Sequence, residues 1–137
     1  MNRDKILCDL SLMLKKVIMF QKNPVIDDDG AKHWYLNGLF HREDGPAIIG
    51  SEGYKAWYIN GLFHREDGPA IEWKDGTKEW YINGLLHRED GPAFIGSNGT
   101  KEWYKNGLLH REDGPAVFVI EKTALLSNGR MGIKSGI

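Results

Sequence analysis

Four histidines recur along the chain, and each is followed two and three residues later by a glutamate and an aspartate. They are His41, His64, His87 and His110, each in the string His-Arg-Glu-Asp. Imidazole and carboxylate groups at this spacing could act as general acid and base in a hydrolytic reaction, or could bind a metal ion. Which chemistry is feasible depends on the elements that hold the four strings.

The strings belong to a longer block that repeats at a fixed interval. The third copy reads WYINGLLHREDGPA, and the copies begin at Trp34, Trp57, Trp80 and Trp103, with 23 positions from each to the next. A constant period of about 20 to 50 residues is typical of stacked repeat proteins. For a chain of 137 residues, we therefore expect one domain built from stacked units.

Each block holds Asn-Gly between apolar residues, the strongest local signal for a two-residue β-hairpin turn. Counting outward from the turn of the third copy predicts the residue pairs 82–85, 81–86, 80–87, 79–88 and 78–89. The two outer pairs would place Lys78 opposite Glu89 and Glu79 opposite Arg88, so we expect exposed ion pairs there. The Asp-Gly-Pro sequence should end the second strand, and GSNGT at residues 96–100 should turn the chain back.

Alternation along the strands predicts two faces. One face of the third copy carries Trp80 and His87, and we expect the four tryptophans to form a continuous structural core. The opposite face carries Tyr81 and Arg88. It is either a second packed layer or an aromatic binding surface, and both interpretations stay open.

The predicted stacking bears on the metal hypothesis. Two strands per repeat, each about 4.8 Å wide, separate equivalent histidines by about 10 Å, whereas ligands of one zinc ion lie about 2 Å from the metal. Within one copy only His87 and Glu89 share a face, which is too few ligands. We therefore expect no metal site, no cofactor and no catalytic residue, and we expect each histidine to pack beside a tryptophan.

Charge is distributed unevenly along the chain. Residues 1–23 carry five basic and two acidic side chains, whereas residues 34–102 carry seven basic and eleven acidic ones. The array therefore offers no basic stripe to a nucleic acid. Cys8 as the single cysteine fits a reducing compartment, and Asp9 interrupts the apolar run that a signal peptide would need. No apolar stretch approaches the roughly 18 to 20 residues of a membrane span, so we expect a cytoplasmic protein without a membrane partner.

The ends of the array differ from its middle. Residues 4–20 have apolar side chains at helical spacing, which predicts an amphipathic helix that either caps the sheet or binds a partner, with Lys15 and Lys16 favouring an acidic surface. LLSNG at residues 125–129 resembles WYKNG at residues 103–107 and suggests a decayed closing hairpin. The expected fold is mainly β, an elongated antiparallel meander of stacked hairpins. Its parts are a helix over 1–23, the array with a leading half-repeat over 24–120, and a capping tail over 121–137.

The 23-residue period, the aromatic residues before Asn-Gly, and the His and Gly that follow resemble MORN repeats, short β-hairpin units found in scaffolding and junction proteins. They are also similar to hairpin repeats of bacterial antitoxin or immunity-like proteins and of proteins from large phages and giant viruses. MORN units usually pass from His almost directly to Gly, whereas Arg-Glu-Asp precedes Gly91 here. The resemblance implies an elongated sheet used for binding, in the host cytoplasm if the chain is viral, and implies no catalytic residue.

These observations favour a non-enzymatic protein-binding module, in its narrowest form a phage-encoded inhibitor of a host defence or regulatory protein. The alternatives are a hydrolytic enzyme using the His-x-Glu-Asp groups and a membrane-associated scaffold that uses the N-terminal helix. Self-association through that helix or the sheet ends is a further expectation. As partner-contacting residues we predict Trp73, Lys15 and Lys16 together with the tyrosine and arginine of each copy. Those are Tyr35, Tyr58, Tyr81, Tyr104, Arg42, Arg65, Arg88 and Arg111.

Overall fold

Very short strands, each of two residues, build the part of the chain that the computed structural model describes, which is Arg3 and residues 22–120. The predicted helix over 4–20 and the predicted closing hairpin over 121–137 lie outside the described residues. The strands are β1 (Val25–Ile26), β2 (Lys32–His33), β3 (Tyr35–Leu36), β4 (Leu39–Phe40), β5 (Ile48–Ile49), β6 (Lys55–Ala56), β7 (Tyr58–Ile59), β8 (Leu62–Phe63), β9 (Ile71–Glu72), β10 (Lys78–Glu79), β11 (Tyr81–Ile82), β12 (Leu85–Leu86), β13 (Phe94–Ile95), β14 (Lys101–Glu102), β15 (Tyr104–Lys105), β16 (Leu108–Leu109) and β17 (Val117–Phe118).

Nine of these strands form one long antiparallel sheet. Its order is β1-β2-β5-β6-β9-β10-β13-β14-β17, so each repeat adds two strands to it. The turns that join β1 to β2, β5 to β6, β9 to β10 and β13 to β14 are short. For example, Gly96 N–H donates to Thr100 O at 2.8 Å, and Gly99 takes a positive φ of 87°. β1 pairs with β2 through a turn at residues 27–31, and both strands precede Trp34.

The other eight strands form four two-stranded hairpins, β3-β4, β7-β8, β11-β12 and β15-β16. In the third hairpin Tyr81 faces Leu86 and Ile82 faces Leu85, as the sequence predicts. Asn83 and Gly84 both have positive φ, 49° and 79°, which is the type I′ geometry that matches the twist of paired strands. The prediction of a mainly β, antiparallel fold of stacked hairpins is therefore confirmed.

The predicted ion pairs across the hairpin are wrong. Lys78 lies opposite Glu72 and Ile95 in the long sheet, and Glu79 lies opposite Ile71 and Phe94, so neither faces residue 88 or 89. The reason lies at Trp80. Its carbonyl accepts from His87 N–H within the hairpin at 3.0 Å, whereas its own N–H donates to Ala93 O at 2.7 Å. The chain thus changes partner at each tryptophan, and a repeat contributes four strands to two kinds of sheet instead of two strands to one.

Successive hairpins are bonded side by side through four contacts. At the first junction Gly61 N–H donates to Phe40 O at 2.8 Å and Arg42 N–H donates to Tyr58 O at 3.0 Å. His41 Nδ1 accepts from Asn60 N–H at 3.0 Å. Leu39 packs over Gly61, where an added Cβ would lie 3.3 Å from the leucine Cδ2. The same four contacts recur at the next two junctions.

The packed interior is made of small and aromatic residues. Ala56 in β6 is fully buried, as are the alanines directly before β5, β9 and β13, which are Ala47, Ala70 and Ala93. The rings of Tyr35, Phe40, Tyr58, Phe63 and Tyr81 form a continuous stack with centroids 4.3 to 5.2 Å apart. The tyrosine face is therefore a packed layer in the first three copies, and burial raises the pKa of Tyr58 to about 12.

The turn geometry predicts the effect of replacing Asn60, which has a φ of 49°. Asn60→Ala should lower the free energy of unfolding by about 1 kcal/mol, because a side chain with Cβ but no local hydrogen bond is disfavoured in the left-handed region. Asn60→Gly is the matched control and should be nearly neutral, since it keeps the backbone N–H that donates to His41. Urea unfolding followed by tryptophan fluorescence measures both. Equal losses in the two variants would contradict a backbone origin of the effect.

Candidate functional site

Each copy carries an arginine that is held by its own loop. We call the Arg-Glu-Asp-Gly-Pro segments at 42–46, 65–69, 88–92 and 111–115 the REDGP loops. In the first, Arg42 Cζ lies 4.0 Å from the centroid of the Trp34 ring, a cation–π contact. Its Nε donates to Asp44 Oδ1 at 2.8 Å and its Nη1 to Pro46 O at 3.2 Å. The other three loops repeat this arrangement.

Trp and Arg therefore share a side of each unit, and their predicted placement on opposite faces is wrong. The kink at Asp-Gly-Pro folds the loop back, so simple alternation does not extend beyond the histidine. Trp34 is buried, at 8% exposure, while Trp57, Trp80 and Trp103 are half-buried. Each of the four rings is covered by the guanidinium of its own copy.

The loop glycine makes room for the guanidinium. A Cβ added at Gly68 would lie 2.8 Å from Arg65 Cζ, and one added at Gly45 would lie 3.1 Å from Arg42 Cζ. Neither glycine has a positive φ, so the backbone itself does not demand glycine here. Glycine is needed because the arginine side chain approaches too closely to leave space for a Cβ.

The loop carboxylates point outward while the guanidinium is turned inward. The side chains of Glu66 and Asp67 are 85% and 86% exposed, whereas that of Arg65 is 22% exposed. The hydrogen bond from Arg65 lowers the pKa of Asp67, and the bond from Arg42 lowers the pKa of Asp44 in the same way. The exposed surface of the loops is therefore more negative than their composition suggests.

The histidines serve the junctions between hairpins. Nδ1 of His41, His64 and His87 accepts the asparagine N–H of the following hairpin at 3.0 to 3.1 Å. The Nε2 atoms lie 2.9 to 3.7 Å from a carboxylate oxygen of the glutamate two residues on. Within residues 22–120, no group of three or more His, Cys, Asp or Glu side chains has the arrangement of a metal site.

Three equivalent grooves run between consecutive REDGP loops. The first lies between loops 42–46 and 65–69, the second between 65–69 and 88–92, and the third between 88–92 and 111–115, with volumes of about 760, 710 and 610 Å³. Trp57 and Ile59 line the first groove, Trp80 and Ile82 the second, and in the third the matching positions are Trp103 and Lys105. Exposed glutamate and aspartate side chains form the rims.

The predicted partner-contacting residues fall into separate places. The four arginines line the grooves but are half-buried, and Tyr35, Tyr58 and Tyr81 belong to the packed layer. Tyr104 is half-buried, and its hydroxyl donates to Glu102 Oε2 at 2.8 Å. Trp73 directly follows β9, where the turn to β10 begins. It is 45% exposed, lies against Tyr54 with ring centroids 4.9 Å apart, and lines none of the three grooves. Lys15 and Lys16 lie outside the described residues.

The groove rims and the residue before Asn-Gly were missed by sequence reasoning. The pairing expected from the sequence places the rim glutamates, but not the aspartates, in cross-strand ion pairs. The sequence does contain a signal for the residue before Asn-Gly. This is one of only two variable positions in an otherwise constant block, and it is occupied by Leu36, Ile59, Ile82 and Lys105.

Comparison with protein-family models and with curated proteins finds no significant match to this chain. The chain is a repeat protein of stacked β-hairpins. Within the described part of the chain, no helix is long and apolar enough to cross a membrane.

The contact between loop glycine and arginine predicts an energetic coupling. Gly68→Ala should destabilise the chain by about 1 kcal/mol, because it displaces a guanidinium that contacts Trp57 and bonds to its own loop. In an Arg65→Ala background the same change should be neutral or stabilising by a few tenths of a kcal/mol, since alanine restricts the unfolded chain. Urea unfolding of the four members of this double-mutant cycle measures the coupling. Additive effects would show that the glycine is not needed for the arginine.

The lowered pKa values of Asp44 and Asp67 predict acid sensitivity. A carboxyl group whose pKa is lower in the folded chain contributes stability above its unfolded pKa, and this contribution is lost as pH falls through the folded pKa. The melting temperature should therefore fall as the pH is lowered below about 4. The Asp44→Asn/Asp67→Asn variant should have a lower melting temperature than the unaltered chain at pH 7. Its melting temperature should also fall less when the pH is lowered. Melting temperatures are recorded by circular dichroism. If they fell equally with pH in the variant and in the unaltered chain, the acid sensitivity would not originate from these two aspartates.

Proposed function

We propose that the chain is a non-enzymatic protein-binding module that contacts its partner with the REDGP loops. The observation that carries this proposal is the row of three grooves, each with an aromatic residue in its wall and carboxylates on both rims. A row of similar sites along one side of a rigid sheet suits an extended partner surface, because contacts in adjacent grooves then add.

The bonding of histidine and aspartate in the first three copies argues against the hydrolytic alternative. The histidine Nδ1 is engaged by a backbone N–H, and the aspartate is engaged by the loop arginine. A general base needs an accessible lone pair near a substrate, and the imidazole atom that could supply it is used to join two hairpins. Repetition of the histidine–asparagine bond in the first three copies and of the arginine–aspartate bond in all four also supports a structural role for these groups.

Charge indicates the kind of partner surface. Eight loop carboxylates are 67% to 86% exposed at the side chain: Glu43, Asp44, Glu66, Asp67, Glu89, Asp90, Glu112 and Asp113. The loop arginines are 21% to 26% exposed and bonded within the chain. Complementary charge speeds association and selects among partners, so the proposed partner presents a basic surface.

Several narrower predictions stay predictions within this proposal. They are membership of the MORN-like repeats, a phage-encoded inhibitor of a host defence or regulatory protein, a cytoplasmic location, and self-association through the ends of the chain. Association with a membrane through residues 1–23 is the remaining alternative, and no observation on the described residues favours it over the loop face.

Removal of loop charge tests the proposal. We expect a Glu43→Gln/Glu66→Gln/Glu112→Gln variant to lose about tenfold in affinity for its partner, since three exposed charge contacts of about 0.5 kcal/mol each together contribute about 1.5 kcal/mol. The matched control, Asp28→Asn/Asp29→Asn/Glu52→Gln, removes the same charge from exposed positions outside the loops. Partner capture from cell lysate and titration at two salt concentrations measure both.

Circular dichroism of both variants checks that the sheets remain folded. Undiminished capture by the loop variant together with loss in the control would place binding on the long sheet or its turns, and the proposal would then fail.

A further inference from the structure

The third groove differs from the other two at a single wall position. Lys105 stands where the first and second grooves have Ile59 and Ile82. The three residues occupy the same place in their hairpins, directly before Asn-Gly, so their side chains leave equivalent backbone positions. The exchange therefore changes the contents of the groove and leaves its frame the same.

Lys105 brings an ammonium group to the rim of its own groove. Its Nζ lies 3.1 Å from Glu89 Oε2, and the other oxygen of that carboxylate lies 2.9 Å from His87 Nε2. The hydrogen bond from Lys105 is the main cause of a lowered pKa at Glu89. Glu89 is also the least exposed of the four loop glutamates, at 67%. The third groove thus already holds the cation that its rim favours.

The first and second grooves have the same rim without that cation. Among residues 22–120, Glu43 and Glu66 have no lysine or arginine nitrogen within 4.0 Å, and the histidine Nε2 atoms near them lie at 3.7 and 3.6 Å. Their side chains are 80% and 85% exposed. Each of these two grooves combines an apolar wall of tryptophan and isoleucine with outward carboxylates. Such a groove can cover the aliphatic stem of a lysine while its rim binds the ammonium.

We propose that the first and second grooves each take a lysine side chain of the protein partner, in the place that Lys105 fills in the third. This inference rests on the proposed function and adds the chemistry of the partner. Adjacent hairpins are bonded side by side, two strands per repeat, so neighbouring grooves lie about 10 Å apart. Residues three apart in a polyproline II segment are separated by about 9.3 Å. A Lys-x-x-Lys segment in that conformation therefore matches two adjacent grooves.

A defined peptide tests this directly. The probe is a fluorescein-labelled peptide of four Pro-Pro-Lys units, and the reference is the same peptide with Gln in place of Lys. Fluorescence anisotropy at about 50 mM salt, where exposed charges are weakly screened, should show saturable binding of the lysine peptide and at least tenfold weaker binding of the glutamine peptide. Equal or absent binding of the two peptides would overturn the proposal.

Variants of the full chain locate the site. Ile59→Lys/Ile82→Lys should fill both grooves with the chain's own cations and weaken binding of the lysine peptide at least tenfold. This variant should fold, because Lys105 already occupies the equivalent position in the third groove. Lys105→Ile should open the third groove and strengthen binding severalfold. The matched control, Ser51→Lys/Ser97→Lys, adds the same two charges at exposed turns of the long sheet and should change affinity less than threefold.

Equal losses in the groove variant and the serine control would show general attraction to an acidic surface and would overturn the lysine sites. The proposed function is tested independently, by the capture experiment with the loop variant. If capture depends on the loop glutamates while the lysine peptide does not bind, the module stands and the partner chemistry is wrong. If capture does not depend on them, the proposed function itself fails.

Discussion

The backbone of each tryptophan belongs to two sheets at once, and the rest of the structure depends on this. Its N–H is bonded to an alanine of the long sheet and its carbonyl to a histidine of the hairpin. A chain that changes partner within one residue cannot continue as a regular strand, so every strand is short. The ring then lies where the two sheets meet, and the guanidinium four residues beyond each Asn-Gly covers it. From that contact the loop takes its shape, with the cation inside and the carboxylates outside.

Strands of two residues are far too short to be stable alone, so stability has to come from the junctions between units. Each junction provides backbone hydrogen bonds, the histidine–asparagine bond and a leucine packed over a glycine. Such nearest-neighbour terms make a repeat protein stable as a sum over units. The last described hairpin illustrates the other side of this rule: Leu108 is 72% exposed, whereas Leu39, Leu62 and Leu85 are 49% to 51% exposed. It has no following hairpin among the described residues.

Local patterns made the hairpins predictable, and long-range pairing did not. Asn-Gly between apolar residues specifies a turn whose two central residues need positive φ, and this determines the register of the residues next to it. The outer pairs failed because the sequence does not say which strand a lysine and glutamate will join once the chain has passed a tryptophan. Charge compatibility was misleading there, since Lys78 finds an acidic neighbour, Glu72, in the long sheet as well. The grooves could not be foreseen because they arise between loops 23 residues apart, and alternation along one strand holds no information on them.

Because the copies are nearly identical, the grooves of the proposed binding face are nearly identical as well. A partner that reads identical grooves gains from their number, yet it cannot choose one groove over another. The grooves differ at the position before Asn-Gly, whose side chain lines the groove, while the backbone hydrogen bonds of the hairpin are made by main-chain atoms. Isoleucine occupies it in the first and second grooves and lysine in the third, and the other lining positions are the same in all three. Substitution at this position can therefore open, fill or reverse the charge of one groove without altering the junctions on which the fold depends.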